Sequence, residues 1–167
     1  MTQHQRTLSV GARPQSFEFD PQETAVLVID MQNDFGAEQG MFARAGIPIG
    51  SIQAVVEPIA RLLPEARRAG MPVVYLKMEF ADDLSDAGGA GAPNLIKHRQ
   101  LGVGESVIAP DGQDSRILVR DTWNTAILPE LAPEPEDIIV SKHRYSGFFE
   151  TSLRRTNRAP RNAVARL

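Results

Sequence analysis

The strongest constraint on the fold is a strand-like segment, an amphipathic helix and a second strand-like segment in direct succession. Residues 25–29 (AVLVI) form an unbroken aliphatic run that suits a strand buried on both faces of a parallel sheet. Apolar residues then recur at helical spacing over 52–66, where Pro64 is expected to kink the helix. Gly70 ends this segment, and 72–78 (PVVYLKM) gives the second strand. This order predicts a right-handed βαβ crossover, and hence an α/β fold with three layers and a doubly wound, mainly parallel sheet.

The remaining chain predicts fewer regular elements. A third strand is expected at 137–141, directly before Lys142, with a short helix at 124–131 and another helix beginning near Thr151. The segment 80–112 is long and rich in glycine. A loop of that length in a compact domain is more often functional than idle, so we interpret it as the wall or lid of a pocket.

The chain is expected to form one domain with two irregular ends. We assign 1–22 to an N-terminal arm, 23–153 to the α/β domain and 154–167 to an atypical basic tail. The tail carries five arginines, a proline and no strand-like run, and no acidic residue follows Glu150. A solvated end is the expectation for such a segment.

Composition excludes several classes of function. A formal net charge of -3 offers no electrostatic footprint for nucleic acid or an anionic membrane, so neither is expected as a partner. A polar N-terminus without a secretory signal, and the lack of a long apolar run, favour the cytoplasm. The 167 residues contain no cysteine, which excludes disulfides, thiolate zinc sites and a cysteine nucleophile within them.

Two ionisable residues close predicted strands. Asp30 follows the first strand and Lys142 the third, and ligands of open parallel sheets bind beyond the carboxyl ends of the strands. Both side chains are therefore expected to face one crevice, where an acid and an amine can share protons with a third group. Ordinary roles remain open for each, a turn cap for the acid and a solvated surface position for the lysine. His4, His98 and His143 lack metal-ligand spacing and favour surface or pocket-edge positions.

Three segments resemble the cysteine hydrolase family that includes isochorismatases, nicotinamidases and N-carbamoyl amidases. They are 24–35 (TAVLVIDMQNDF), 69–75 (AGMPVVY) and 141–153 (SKHRYSGFFETSL). Within the family, four segments look most like ureidoacrylate amidohydrolases: 19–21 (FDP), 86–89 (DAGG), 92–94 (APN) and 142–149 (KHRYSGFF). The resemblance implies an isochorismatase-like fold and cleavage of a carbon-nitrogen bond in a small ureido or carbamoyl compound.

By this resemblance, Asp30 would take a proton from a cysteine thiol and Lys142 would favour the thiolate. The same resemblance implies substrate-binding roles for five further residues: Gln32, Phe35, Asn94, Tyr145 and Phe149. No metal or cofactor is implied. The cysteine would lie one βαβ step beyond Lys142 and so past Leu167. We therefore expect a C-terminally incomplete, altered chain that is inactive by itself.

Two alternatives remain at this point. One is an isochorismatase-type vinyl ether hydrolase, and the other is a non-catalytic fragment or pseudoenzyme that binds a small molecule or a longer partner. A small-molecule substrate is expected for the amidohydrolase and for the vinyl ether hydrolase. Because an incomplete sheet exposes a strand edge, we expect poor solubility or association of the chain with itself as a homo-oligomer.

Overall fold

A computed structural model describes residues 7–156. The expected arm is therefore described only from Thr7 onward, and most of the expected basic tail, with His4, lies outside the described residues. The strands are β1 (Leu8–Val10), β2 (Phe17–Phe19), β3 (Val26–Ile29), β4 (Val73–Met78), β5 (Ser106–Ile108), β6 (Asp114–Arg116) and β7 (Ile138–Lys142). The helices are α1 (Asn33–Gly36), α2 (Met41–Arg44), α3 (Gly50–Gln53), α4 (Val56–Arg68), α5 (Pro93–Gln100) and α6 (Leu153–Thr156), with 3₁₀ turns at Trp123–Thr125 and Pro129–Leu131. Within 7–156, no helix is long and apolar enough to cross a bilayer.

The central sheet has the order β3-β4-β7, and both pairings are parallel. In this register Ile29 lies beside Leu76, and Met78 lies beside Lys142. Two small antiparallel pairs, β1-β2 and β5-β6, lie outside this sheet. The predicted α/β class with a parallel sheet is confirmed, and the strands at the centre are the three that the sequence predicts.

Helix α4 covers one face of the sheet. Its buried Leu63 and Ala66 pack in one cluster with Val28 and Tyr75. The Tyr75 hydroxyl, which would be costly to bury without a partner, donates to the Leu131 carbonyl at 2.8 Å. The apolar stripe of this helix therefore packs against one face of the sheet.

The helix α4 continues through Pro64 to Arg68, although a proline inside a helix removes one backbone donor. Leu63, directly before the proline, and Ala66, two residues after it, are buried in the core and hold this turn in place. The helix ends before Gly70, whose φ of +77° is easy for glycine and unfavourable for other residues.

The short helix α6 covers part of the opposite face. Leu153 packs against Val74, Leu76 and Val140, and its backbone N–H donates to the Thr151 hydroxyl at 3.3 Å. The predicted start of a helix near Thr151 is thus confirmed, and helices lie on both faces of the parallel sheet.

Strand β3 lies at the edge of the sheet, and this differs from the expectation that it is buried on both faces. Leu27 and Ile29 remain 39% and 52% exposed, whereas Val28, which faces α4, is buried. The reason is that Leu153 of α6 covers the central strand but leaves the neighbouring positions on β3 uncovered. Among the described residues, β3 pairs with β4 on one side and with no strand on the other.

The segment 80–112 is more regular than the sequence indicates, because it contains helix α5 and strand β5. Pro93 begins α5, where its missing N–H costs nothing. Leu95 of this helix packs with Met78 and Phe80 from the end of β4. The segment is therefore a packed wall against the carboxyl end of the sheet.

The exposed edge predicts association through β3. We expect Leu27→Lys to lower the average mass of the chain in sedimentation velocity, because a charge on an edge strand opposes strand pairing between chains. Leu62→Lys is the matched control, since Leu62 is similarly exposed but lies on α4. Equal mass distributions for the two variants would argue against association through this edge.

Candidate functional site

Asp30 lies in a tight turn at the carboxyl end of β3. Its N–H donates to the Leu76 carbonyl at 2.9 Å, and its own carbonyl accepts the Gln32 N–H at 2.9 Å. Its φ of +58° is in the left-handed region, which Asp and Asn tolerate better than most residues. The sheet and the turn together fix the backbone that carries this carboxyl group.

Gln32 locks the same turn to β4. Its fully buried amide donates to the Met78 carbonyl at 2.9 Å and accepts the Met78 N–H at 2.8 Å. Both ends of the amide are thus bonded to the backbone, and the side chain is not part of the cavity described below. In this structure Gln32 positions the turn, while its predicted contact with substrate stays a prediction.

Lys142 meets Asp30 at the carboxyl end of the sheet, which confirms the predicted convergence. Its Nζ lies 3.0 Å from Oδ2 of Asp30 and 3.7 Å from the sulfur of Met78. The lysine side chain is 3% exposed and the aspartate side chain 35% exposed. The ammonium group is therefore almost withdrawn from water, with the carboxylate as its counter-ion.

Burial raises the pKa of the Asp30 carboxyl, while the charge of Lys142 and its hydrogen bond act in the opposite direction. A carboxylate with a raised pKa is the better proton acceptor. Its Oδ1 is buried and has no hydrogen-bond partner among the described residues. The pair can therefore hold a proton next to a charge that stabilises a neighbouring anion; its catalytic role stays a prediction.

The pair lines a cavity of about 270 Å³. Eight of its thirteen lining residues are apolar. Six of the eight come from the chain segments that follow β3 and α5: Met31, Phe35, Met41, Phe42, Ile52 and Leu101. Helix α5 supplies Lys97 and His98 to the wall, so the interpretation of 80–112 as a pocket wall is confirmed. Small-molecule sites are commonly apolar with a few fixed polar groups, as here.

His98 lines the cavity, although the sequence does not distinguish it from the other two histidines. It is 5% exposed, and its Nε2 lies 3.5 Å from the Tyr145 hydroxyl. Its Nδ1 is buried without a hydrogen-bond partner among the described residues. Burial first, and then the charges of Lys97 and Lys142, lower the pKa of His98, which favours a neutral ring at pH 7. By contrast, His143 pairs with Glu150.

The predicted substrate-binding residues divide into two groups. Phe35 and Tyr145 line the cavity. Asn94 does not; its amide donates to the Ala87 carbonyl at 3.3 Å. Phe149 is also outside the cavity lining, half exposed and in an edge contact with the His143 ring. Substrate contacts by Asn94 and Phe149 stay predictions, and this structure gives each another contact.

A second acid near the cavity, Asp34, was not anticipated from the sequence. It is fully buried, and its carboxylate accepts the Met41 N–H at 3.0 Å, the Leu118 N–H at 2.7 Å and the Asn124 amide at 2.5 Å. Asn124 in turn accepts the Ser115 hydroxyl at 2.5 Å. Burial raises the pKa of Asp34 to about 6, against the opposing effect of these donors. This network ties α1 and α2 to Leu118 and to the first 3₁₀ turn.

Position 40 requires glycine, because the backbone there passes very close to the backbone of Asn33. A Cβ at Gly40 would lie 2.0 Å from the carbonyl oxygen of Asn33, closer than atoms can approach. The absence of a side chain therefore lets Met41 reach both the cavity and Asp34.

A third acid, Glu79, follows β4 on the other face of the sheet. Its carboxylate lies 2.8 Å from the Lys77 ammonium and 3.4 Å from the Arg120 guanidinium, and it accepts the Ser141 hydroxyl. Glu79 does not line the cavity. The cations that pair with Glu79 lie on that same face of the sheet. Lys142 pairs with Asp30 instead.

The Asp34 network predicts a specific pH dependence of stability. Its folded pKa of about 6 lies above the ordinary 3.8, so its contribution to the free energy of unfolding is fully present below about pH 4 and is lost as the pH rises through 6. Relative to Asp34→Asn, the wild type should lose up to about 3 kcal/mol between pH 4 and pH 7, at 1.36 kcal/mol per pH unit. Urea unfolding at several pH values measures this. Asp114→Asn, at an exposed acid, is the control, and parallel curves for wild type and Asp34→Asn would contradict the prediction.

The Asp30–Lys142 pair predicts unequal costs of removing its members. We expect Asp30→Asn to lower the free energy of unfolding by about 2 kcal/mol or more, because it leaves a buried ammonium uncompensated. Lys142→Met should cost less, since the carboxylate can still reach water, and the double variant should resemble Lys142→Met. Urea titrations of all three check this, with Glu57→Gln in the exposed Glu57–Arg61 pair as a control that costs less than about 1 kcal/mol. Additive losses would show that the two side chains are not coupled.

Comparison with known proteins identifies the family. The isochorismatase domain model matches residues 24–162. Two curated relatives are named ureidoacrylate amidohydrolase RutB. The protein from Rhizobium rhizogenes is 38% identical over 89% of this chain and 59% of its own length. The protein from Agrobacterium fabrum is 39% identical over 87% of this chain and 63% of its own length. The chain thus spans about three-fifths of the length of these curated relatives.

Solved structures agree. A cysteine hydrolase from Pseudomonas syringae pv. phaseolicola superposes with a TM-score of 0.65 at 32% identity, over 85% of this chain and 56% of that one. An isochorismatase family protein from Desulfovibrio vulgaris superposes with a TM-score of 0.58 at 26% identity, over 82% of this chain and 61% of that one. With its parallel sheet, flanking helices and match over most of its length, this chain belongs to the isochorismatase-like hydrolase family.

Proposed function

We propose that this chain carries the acid and the cation of an amidohydrolase that cleaves a carbon-nitrogen bond in a small ureido or carbamoyl compound. The observation that carries the proposal is the Asp30–Lys142 pair at 3.0 Å in a largely apolar cavity. The names of the curated relatives support ureidoacrylate as the reference substrate. A place in pyrimidine breakdown, in the cytoplasm, is part of the same proposal.

In the proposed reaction Asp30 accepts the proton of a cysteine thiol. The Lys142 ammonium stabilises the thiolate, which attacks the ureido or amide carbonyl. The carbon-nitrogen bond then breaks, and the departing nitrogen takes the proton from Asp30. Water hydrolyses the resulting thiocarbamate, or the thioester in the case of an amide, which releases carbamate or a carboxylate and regenerates the thiol. The Asp30 side chain is 35% exposed, so its carboxyl group can be approached by a thiol from another segment.

The thiol itself is absent from the 167 residues, which contain no cysteine. We propose that it belongs to a segment equivalent to the part of the curated relatives that this chain does not span. The 167-residue chain would then bind a substrate but not turn it over. The same observation favours the second candidate, a non-catalytic protein of this family that binds small molecules without hydrolysis.

A fusion distinguishes these two candidates. We expect the chain alone to release no ammonia from ureidoacrylate. A fusion to the remaining C-terminal part of the Agrobacterium fabrum relative should release carbamate, which decomposes to ammonia. Asp30→Asn and Lys142→Met in the fusion should each lower kcat by at least about a hundredfold, as general acid–base groups typically contribute.

Glu79→Gln in the same fusion is the matched control, because this buried acid lies outside the cavity lining. It should retain most of the kcat. Unchanged kcat in the Asp30 and Lys142 variants would overturn the proposed roles, and an inactive but folded fusion would favour the non-catalytic candidate.

A further inference from the structure

The lining of the cavity carries one positive charge in excess. It contains a single acid, Asp30, and two lysines, Lys97 and Lys142. Asp30 and Lys142 form an ion pair with each other. Burial first, and then the charge of Lys97, lower the pKa of His98, which favours a neutral ring at pH 7. The charge that remains is that of Lys97, so the cavity complements a ligand with a single negative charge.

Lys97 has no anionic partner within residues 7–156, where none of the ion pairs includes it. It is exposed and lies in the last turn of α5. Its Nζ is 5.9 Å from the centre of the Tyr145 ring, within the range of a cation–π contact, and Tyr145 also lines the cavity. This contact holds the ammonium group near the cavity wall, and its N–H donors remain available to a ligand.

The size of the cavity favours a short acid. Its volume of about 270 Å³ equals the liquid volume of about nine water molecules. A ureido acid with two carbons between the ureido nitrogen and the carboxylate is about that large. Under the proposed mechanism the ureido group lies at the Asp30–Lys142 pair, so the carboxylate at the other end needs a different cation. Lys97 is the further cation that the described part of the chain places in the lining.

We propose that Lys97 determines the substrate specificity of this cavity, because its ammonium group binds the carboxylate of a short ureido acid whose ureido group lies at the Asp30–Lys142 pair. The inference rests on the proposed function for the reaction. It goes beyond that function because it assigns recognition of the acid end of the substrate to a residue of α5. The sheet end then holds the reacting group, and α5 holds the carboxylate. Lys97 touches no reacting atom, so it acts on binding and not on bond cleavage.

Two probes of equal size test the charge of the ligand. 3-Ureidopropanoate and 3-ureidopropanamide share the ureido group and the two-carbon link, but one ends in a carboxylate and the other in an uncharged amide. We expect the 167-residue chain to bind the carboxylate at least about fivefold more tightly at pH 7, because hydrogen bonds between charged groups are stronger than neutral ones. Titration with ligand-observed NMR measures both affinities. Equal affinities, tighter binding of the amide, or no binding of either probe would overturn the inference.

Matched variants test the residue. Lys97→Met removes the charge and keeps the length of the side chain, so the affinity for 3-ureidopropanoate should fall to that of the amide, while the affinity for the amide should change less than about twofold. Lys97→Arg should retain the preference for the carboxylate. Arg99→Met is the control, because it removes a positive charge from an exposed position on the same helix outside the cavity lining. Preference retained in Lys97→Met, or lost in Arg99→Met, would overturn the assignment to Lys97.

The fusion to the Agrobacterium fabrum segment separates failure of this inference from failure of the proposed function. In the fusion, Lys97→Met should raise KM for ureidoacrylate at least about fivefold and change kcat less than about twofold, unlike the Asp30 and Lys142 variants. An active fusion whose KM does not respond to Lys97→Met, or whose kcat falls with KM unchanged, would overturn the role of Lys97 alone. An inactive fusion would overturn the proposed hydrolysis, while the probe titrations with the chain itself would still decide whether Lys97 binds the carboxylate.

Discussion

The contact between Asp30 and Lys142 depends on the register of a three-stranded parallel sheet. The two residues come from β3 and β7, which are separated by β4, so neither strand alone can bring them together. Side chains alternate between faces along a strand, and a slip of one residue in β7 would move Lys142 to the opposite face. There it would meet the cations that already surround Glu79. Two hydrogen bonds between the Gln32 amide and the backbone of Met78 fix β4 against the turn that carries Asp30. The chemistry at this end of the sheet is therefore a consequence of strand pairing.

Three acids near the sheet end have three different environments. Glu79 has two cations and a hydroxyl, and Asp34 is surrounded by N–H donors without an adjacent buried cation. Asp30 has one buried ammonium beside one oxygen, and its other oxygen has no hydrogen-bond partner among the described residues. In the first two arrangements the chain itself supplies the partners of the carboxylate. Under the proposed mechanism the third, whose side chain is 35% exposed, is the carboxyl group that takes up a proton.

Sequence patterns predict the parts of this structure that depend on local periodicity. The aliphatic runs and the helical spacing between them indicate the parallel strands and α4, and the residues at the strand ends indicate Asp30 and Lys142. Burial of Asp34 could not be predicted, because its partners Leu118 and Asn124 are more than eighty residues away and a DMQNDF segment has the composition of a polar turn. Helix α5 was missed because glycine-rich sequence precedes it and its apolar spacing is weak. Because His98 lies on this helix, its position in the cavity was not predicted either. The exposure of Leu27 depends on which strands and helices surround β3. The sequence of one strand does not predict which elements lie next to it.

The unpaired edge of the sheet and the partly exposed carboxyl group of Asp30 belong to the same strand end. Ile29, the residue before Asp30, is half exposed and also lines the cavity. A segment that paired with β3 in parallel would cover Leu27 and Ile29 and would end beside Asp30, because parallel strands end at the same side of a sheet. Under the proposed mechanism, a nucleophile at the end of that segment would reach the carboxyl group through the pairing that buries the edge. Burial of apolar area at about 25 cal/mol per Å² would then favour the strand pairing that also completes the active site. Stability of the sheet and assembly of the reactive groups would be one physical event, so a change that weakens the pairing of β3 should reduce both.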